Sequence, residues 1–120
     1  MENFAEEFKL RTKKFSLRVI KLFQSLPKTD EARIIGKQLV RSSTSTAANY
    51  RAVCRSRSDA EFHSKLSIVV EEADETVFWI ELLMESNIVK ASRLIELNKE
   101  ANEILKIVST SRSTFNKRRK

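Results

Sequence analysis

The sequence predicts an all-α protein, an antiparallel up-down-up-down four-helix bundle, on three observations. A single glycine (Gly36) and a single proline (Pro27) in 120 residues, against averages of roughly 7% and 5%, leave few places for tight turns, which favours long helices over strands. Apolar residues recur at alternating spacings of three and four over four stretches, each of which is one face of a helix. The stretches between them are short, and short connections set neighbouring helices antiparallel.

The first helix spans about residues 3 to 25, with Phe4, Phe8, Phe15, Val19, Leu22 and Leu26 on one face and Arg11 or Thr12 interrupting the stripe. The second, 30 to 55, follows Pro27, with Thr29 as N-cap and Asp30 and Glu31 in a first turn whose dipole favours acids. It carries two seams. One is Ala32, Ile35, Leu39, Ser42, Thr46, Asn49 and Val53; the other is Gly36, Val40, Ser43, Ala47, Tyr50 and Cys54. Serine and threonine each cost roughly 0.5 kcal/mol relative to alanine inside a helix, so the run from Ser42 to Thr46 needs compensation from packing. Small side chains on two seams suit close approach from two sides. The second seam meets either the chain's own helices or a neighbouring subunit.

The third helix, 59 to 86, opens with a Ser58-x-x-Glu61 capping box and presents Phe62, Leu66, Val69, Ala73, Thr76, Ile80 and Leu83. Between Val77 and Met84 only Glu81 is polar, and a helix apolar all round is usually buried all round. A homo-oligomer is therefore expected, with Tyr50, Phe78, Trp79 and Leu82 at the interface; the other reading is that Phe78 and Trp79 roof one end of the bundle. The fourth helix, 91 to 114, shows Leu94, Leu97, Ala101, Ile104, Val108, Ser111 and Phe115. Residues 1–116 then form one domain, followed by a basic tail at 117–120.

Several function classes lack the residues they need. The sequence has no G-x-G-x-x-G and no G-x-x-x-x-G-K-[ST], the loops that cradle nucleotide phosphates. Cys54 and His63 are the only residues of their kinds; they form no internal disulfide and cannot complete a zinc shell. No Glu-x-x-His pair of the di-iron type is present, and His63 has no strand-turn-helix elbow to work with. No enzyme activity, metal or cofactor is expected. The charged N-terminus does not read as a signal peptide, and no uncharged segment approaches the roughly 18 apolar residues of a membrane span. A cytoplasmic, membrane-free location is expected.

The net charge of +7 is unevenly spread. Residues 1–27 carry +3, 28–57 carry +5, 58–90 carry −6 and 91–120 carry +5. The cluster Glu71, Glu72, Asp74 and Glu75 reads as a solvated face or as partners for neighbouring basic helices. Lys37, Arg41, Arg51 and Arg55 recur on the third face of the second helix, with Arg57 just beyond. Arginine forks match phosphate geometry, and clustered cations release counterions from nucleic acid. The stripe is thus either a solubilising face or a nucleic-acid footprint.

The block Gln38-Leu39-Val40-Arg41-Ser42-Ser43, then Asn49-Tyr50-Arg51-Ala52-Val53-Cys54-Arg55-Ser56-Arg57-Ser58 and Glu61-Phe62, resembles the bacterial four-helix-bundle proteins named after 23S rRNA intervening sequences. Glu71-Glu72-Ala73-Asp74-Glu75 and Trp79-Ile80-Glu81-Leu82-Leu83 resemble them too. Many members carry Asn-Ile-Ala-Glu-Gly where this chain has Asn49 to Val53, so the match is to a variant subgroup. The resemblance implies a bundle that assembles as a homopentamer. A related branch, the accessory variability determinant of diversity-generating retroelements, binds a reverse transcriptase and nucleic acid. Two roles are therefore expected: an accessory protein that binds structured RNA or DNA through Lys37, Arg41, Arg51, Arg55 and Arg57, or a protein-protein adapter with no direct nucleic-acid role.

Overall fold

The computed structural model describes residues 3–119. Four helices, α1 (Phe4–Ser25), α2 (Asp30–Cys54), α3 (Asp59–Glu85) and α4 (Ile95–Arg119), pack as an elongated all-α bundle of 48 × 23 × 21 Å. Each helix packs on the next in sequence, most extensively α2 on α3; α1 and α4 close the bundle along a much thinner seam. The diagonal pairs, α1 with α3 and α2 with α4, bring no Cα atoms within 8 Å of each other among the described residues.

The helix starts have local causes. Thr29 Oγ1 accepts from the Ala32 N–H at 3.3 Å and Ser58 Oγ from the Glu61 N–H at 3.0 Å, each satisfying a donor that lacks an intrahelical partner. The Glu61 carboxylate accepts from the Arg57 N–H at 2.8 Å, one residue earlier than in the usual capping box. The fourth helix differs most from its expected bounds. Asn87 adopts a left-handed φ of 61°, which asparagine tolerates better than most residues. Residues Ala91–Arg93 then form a 3₁₀ turn, and α4 begins only after the fully buried Leu94. It continues through Arg119, so Lys117 and Arg118 extend the helix where cations suit the dipole. Lys120, the last residue of the expected tail, lies outside the described residues.

Both seams of α2 are used within the subunit. On one, the Ser42 and Thr76 hydroxyls hydrogen-bond at 2.9 Å between α2 and α3. On the other, Ser16 of α1 donates toward the Ser43 carbonyl at 2.9 Å, and Tyr50 meets Phe8 edge-on with ring centroids 4.8 Å apart. A Cβ built on Gly36 would lie 2.6 Å from Phe23 Cδ1 and 2.7 Å from Leu26 Cδ1, so α1 approaches α2 as closely as a glycine allows. The buried hydroxyls are satisfied by backbone carbonyls one turn earlier, as with Thr46 to Ser42 at 2.8 Å and Thr76 to Glu72 at 2.8 Å. That spares the bundle the cost of unpaired buried polar groups. Around them Val19, Leu39, Leu66, Val69, Ile80, Leu83 and Val108 are fully buried.

Candidate nucleic-acid interface

The last two turns of α2 point Arg51 and Arg55 outward, one turn apart. Arg57 follows in the α2–α3 turn with its side chain 90% exposed. Lys65 of α3 faces the same groove, whose floor includes Ala48 and Ala52. A second groove on the other side of Arg51 and Arg55 is lined by Lys9 and Lys13 of α1. The two arginines thus form a ridge between two basic grooves at the end of the bundle. Among the described residues neither Arg51 nor Arg55 has an ion pair; Arg57 lies 4.0 Å from Glu61, and Lys9 3.1 Å from Glu6. Of the acids lining the grooves, only Glu7 lacks such a pairing.

Lys37 and Arg41 do not join this cluster. They lie 14 and 10 residues before Arg51, or about 21 and 15 Å along the helix axis. Lys37 is exposed. Arg41 is engaged across the α2–α3 interface, donating to Glu72 at 3.1 Å and to Glu75. The Trp79 indole N–H donates to the same Glu75 carboxylate at 2.9 Å. That bond, with Arg41, holds the Glu75 carboxyl below its ordinary pKa, and the Glu75 bond in turn raises the Arg41 pKa further. Half of the acidic cluster of α3 is thus a structural tie, while Glu71 and Asp74 face outward.

The residues expected at a subunit interface separate in the same way. Phe78 is 50% exposed and stands edge-on to the half-buried Trp79, with ring centroids 4.9 Å apart. Leu82 is half-buried. Tyr50 is only 7% exposed and sits in the subunit's own core against Phe8; burial pushes its hydroxyl pKa up. Its place on the second seam of α2, which α1 covers, is the physical reason that it faces inward.

No group of three metal-ligating side chains occurs among the described residues, and no helix there is long and apolar enough to cross a membrane. The His63 ring stacks on Phe115 at 6.1 Å, leaving Nδ1 buried without a hydrogen-bond partner. Burial pushes the Cys54 thiol up, which disfavours the thiolate that nucleophilic chemistry uses. Sequence reasoning missed Lys65, Lys9 and Lys13. Lys65 was within reach of it, because an antiparallel pairing across the short α2–α3 turn places the start of α3 beside the end of α2.

The architecture recurs in known proteins. A crystal structure of a protein with unknown function from the S23 ribosomal protein family of Bacteroides thetaiotaomicron is similar to this chain, with 29% sequence identity and a TM-score of 0.82, covering 91% of this chain and 97% of that one. No curated protein matches. The family model for the 23S rRNA-intervening sequence protein matches residues 7–110. With α2, α3, both seams of α2 and the Asn49 to Arg57 block falling inside that span, the chain belongs to the 23S rRNA-intervening sequence protein family.

Proposed function

We propose that this chain is a non-enzymatic, self-associating accessory protein that binds structured RNA through the basic end of its bundle. The observation that carries the reading is the convergence of Arg51, Arg55, Arg57 and Lys65 around one groove, with Arg51 and Arg55 free of ion pairs among the described residues. Guanidinium groups so placed can each fork onto phosphate oxygens, and the second groove adds Lys9 and Lys13 beside them. Phosphate contacts position a nucleic acid without reading bases, so binding tolerant of sequence is expected.

The test is fluorescence anisotropy of a labelled RNA hairpin titrated with protein at several salt concentrations. Wild-type affinity should fall steeply with salt, and R51E/R55E/R57E should weaken binding and flatten the logarithmic salt slope by about 2 to 3, near one for each lost phosphate contact. Lys37 lies apart from the groove, and K37E should have the smaller effect. Absence of binding at low salt, or a triple variant that binds as the wild type does, would reject the reading. A protein partner recovered by pull-down after nuclease treatment, without RNA binding, would favour the adapter role instead.

A further inference from the structure

All four helices meet at the basic end of the bundle: α1 and α3 begin there, and α2 and α4 end there. Besides the two basic grooves, that end carries a third whose walls are apolar and aromatic, formed by Tyr50 and Val53 of α2, Phe62 of α3 and Phe115 of α4. Its volume, about 610 Å³, lies within the roughly 300 to 1,000 Å³ of small-molecule sites. Tyr50 and Val53 are buried, whereas Phe62 and Phe115 are half-buried, with ring centroids 4.6 Å apart and ring planes inclined at 42°. The His63 ring also lies on Phe115, so two neighbouring residues of α3 fix the orientation of that ring.

One residue joins this groove to the phosphate-binding surface. Arg57, with its side chain 90% exposed, lines both the aromatic groove and the basic groove of Arg51, Arg55 and Lys65. Asp59, exposed in the first turn of α3, lines the aromatic groove but not the basic one. A carboxylate there repels phosphate and accepts hydrogen bonds from ring N–H and amino groups. The aromatic groove therefore suits the uncharged, planar part of a nucleotide, and the arginines beside it suit the phosphate. Resting on the RNA reading above, we propose that this groove takes one unpaired base of the bound RNA, stacked on Phe62 and Phe115, while Arg57 holds a flanking phosphate. A base within a duplex is stacked on its neighbours and cannot enter, so the preferred ligand is RNA with a bulge or loop. Stacking uses the face common to every base, and a preference for unpaired RNA is thus compatible with tolerance of sequence.

Anisotropy titrations of the full chain with three labelled hairpins of one stem sequence test this: one fully paired, one with a single-nucleotide bulge, and one with that bulge made abasic. The wild type should bind the intact bulge about 5- to 150-fold more tightly than the abasic one, the range for a base stacked on an aromatic side chain. The fully paired hairpin should bind no better than the abasic one. F62L and F115L keep apolar bulk but lose the ring, and each should bring that ratio toward one. Neither should change the affinity for the abasic hairpin or its salt dependence, because the phosphate contacts remain. R51E/R55E should instead weaken all three hairpins. Far-UV circular dichroism checks that the variants stay helical, and the comparison of intact with abasic bulge needs no variant. Equal wild-type binding of intact and abasic bulges, or a bulge preference that helical F62L and F115L both retain, would overturn the base site while leaving the phosphate reading standing. F115L that binds every hairpin as the wild type does but loses a protein partner would assign the groove to an apolar segment of that partner and overturn the proposal. A wild type that binds none of the hairpins at low salt would remove both readings.

Discussion

Replacing Gly36 with alanine sets two opposing effects against each other at the closest approach of α1 and α2. In a helix interior the change favours folding by about 0.8 to 1.0 kcal/mol through backbone entropy. The added methyl would lie 2.6 and 2.9 Å from two Phe23 ring carbons and 2.7 Å from Leu26 Cδ1, whereas unstrained carbons sit roughly 3.5 to 4.0 Å apart. Both side chains must therefore retreat by about 1 Å. Phe23 is half-buried and can swing outward at some loss of apolar contact; Leu26 is 5% exposed and has little room. Overpacking of this kind costs roughly 1 to 3 kcal/mol, so the net effect is a loss of about 1 kcal/mol. For 120 residues, at about 2.1 cal/mol/K of unfolding entropy per residue, that lowers Tm by about 4 °C. Thermal unfolding by circular dichroism at fixed protein concentration measures it, with F23A as the second arm of a double-mutant cycle. In the F23A background two of the three clashes are gone, so G36A should cost less or turn stabilising. A G36A protein that melts above the wild type, or the same G36A effect with and without Phe23, would refute this account of the contact.

Two further expectations concern polar ties between helices. Glu100 accepts from Arg11 Nε at 2.6 Å and from Nη2 at 2.7 Å, and these bonds hold its carboxyl below the ordinary value of 4.5. A lowered native pKa means that the unfolded chain takes up the proton first as pH falls, so the tie's stabilisation is complete above about pH 4.5 and is lost through the range below it. E100Q should lower stability at neutral pH by about 1 kcal/mol, discounted for partial exposure, and make urea midpoints depend less on acid. At the α2–α3 seam, T76V leaves the Ser42 hydroxyl with only the Leu39 carbonyl, 3.4 Å away, and should cost about 1 kcal/mol. S42A/T76V, which removes both partners, should cost no more than the single change, as denaturant unfolding would show.

The heptad-like spacing made the helices legible because the partner surfaces are themselves helices, and ridge packing imposes the same period on every core face. Three helices begin and end within a residue of their expected bounds. The fourth did not: the left-handed Asn87 and the 3₁₀ turn at Ala91–Arg93 put its start after the buried Leu94, and of these only Asn87 carries a local signal, its tolerance of positive φ. The basic stripe of α2 was legible as a stripe. Which of its members have partners depended on α3: Arg41 lies opposite Glu72 and Glu75, whereas Arg51 lies across the groove from Lys65. One helix read alone cannot show that difference. Tyr50 was placed on the right seam, but that seam is covered by α1, which only the packing reveals.

The thin seam between α1 and α4 bears on how the chain reaches its native state. Every other helix-helix interface joins neighbours in sequence across a short connection, so most contacts are local and the topology belongs with those of low contact order, which fold fastest. Arg11 and Glu100, 89 positions apart, lie on the one interface that joins distant parts of the chain. The entropy of that long-range closure is largely met beforehand by the α1–α2 and α3–α4 pairings, which bring the two outer helices side by side. A three-donor clamp from one arginine to Glu100 and Glu103 is then a modest fastening, and a modest one suffices.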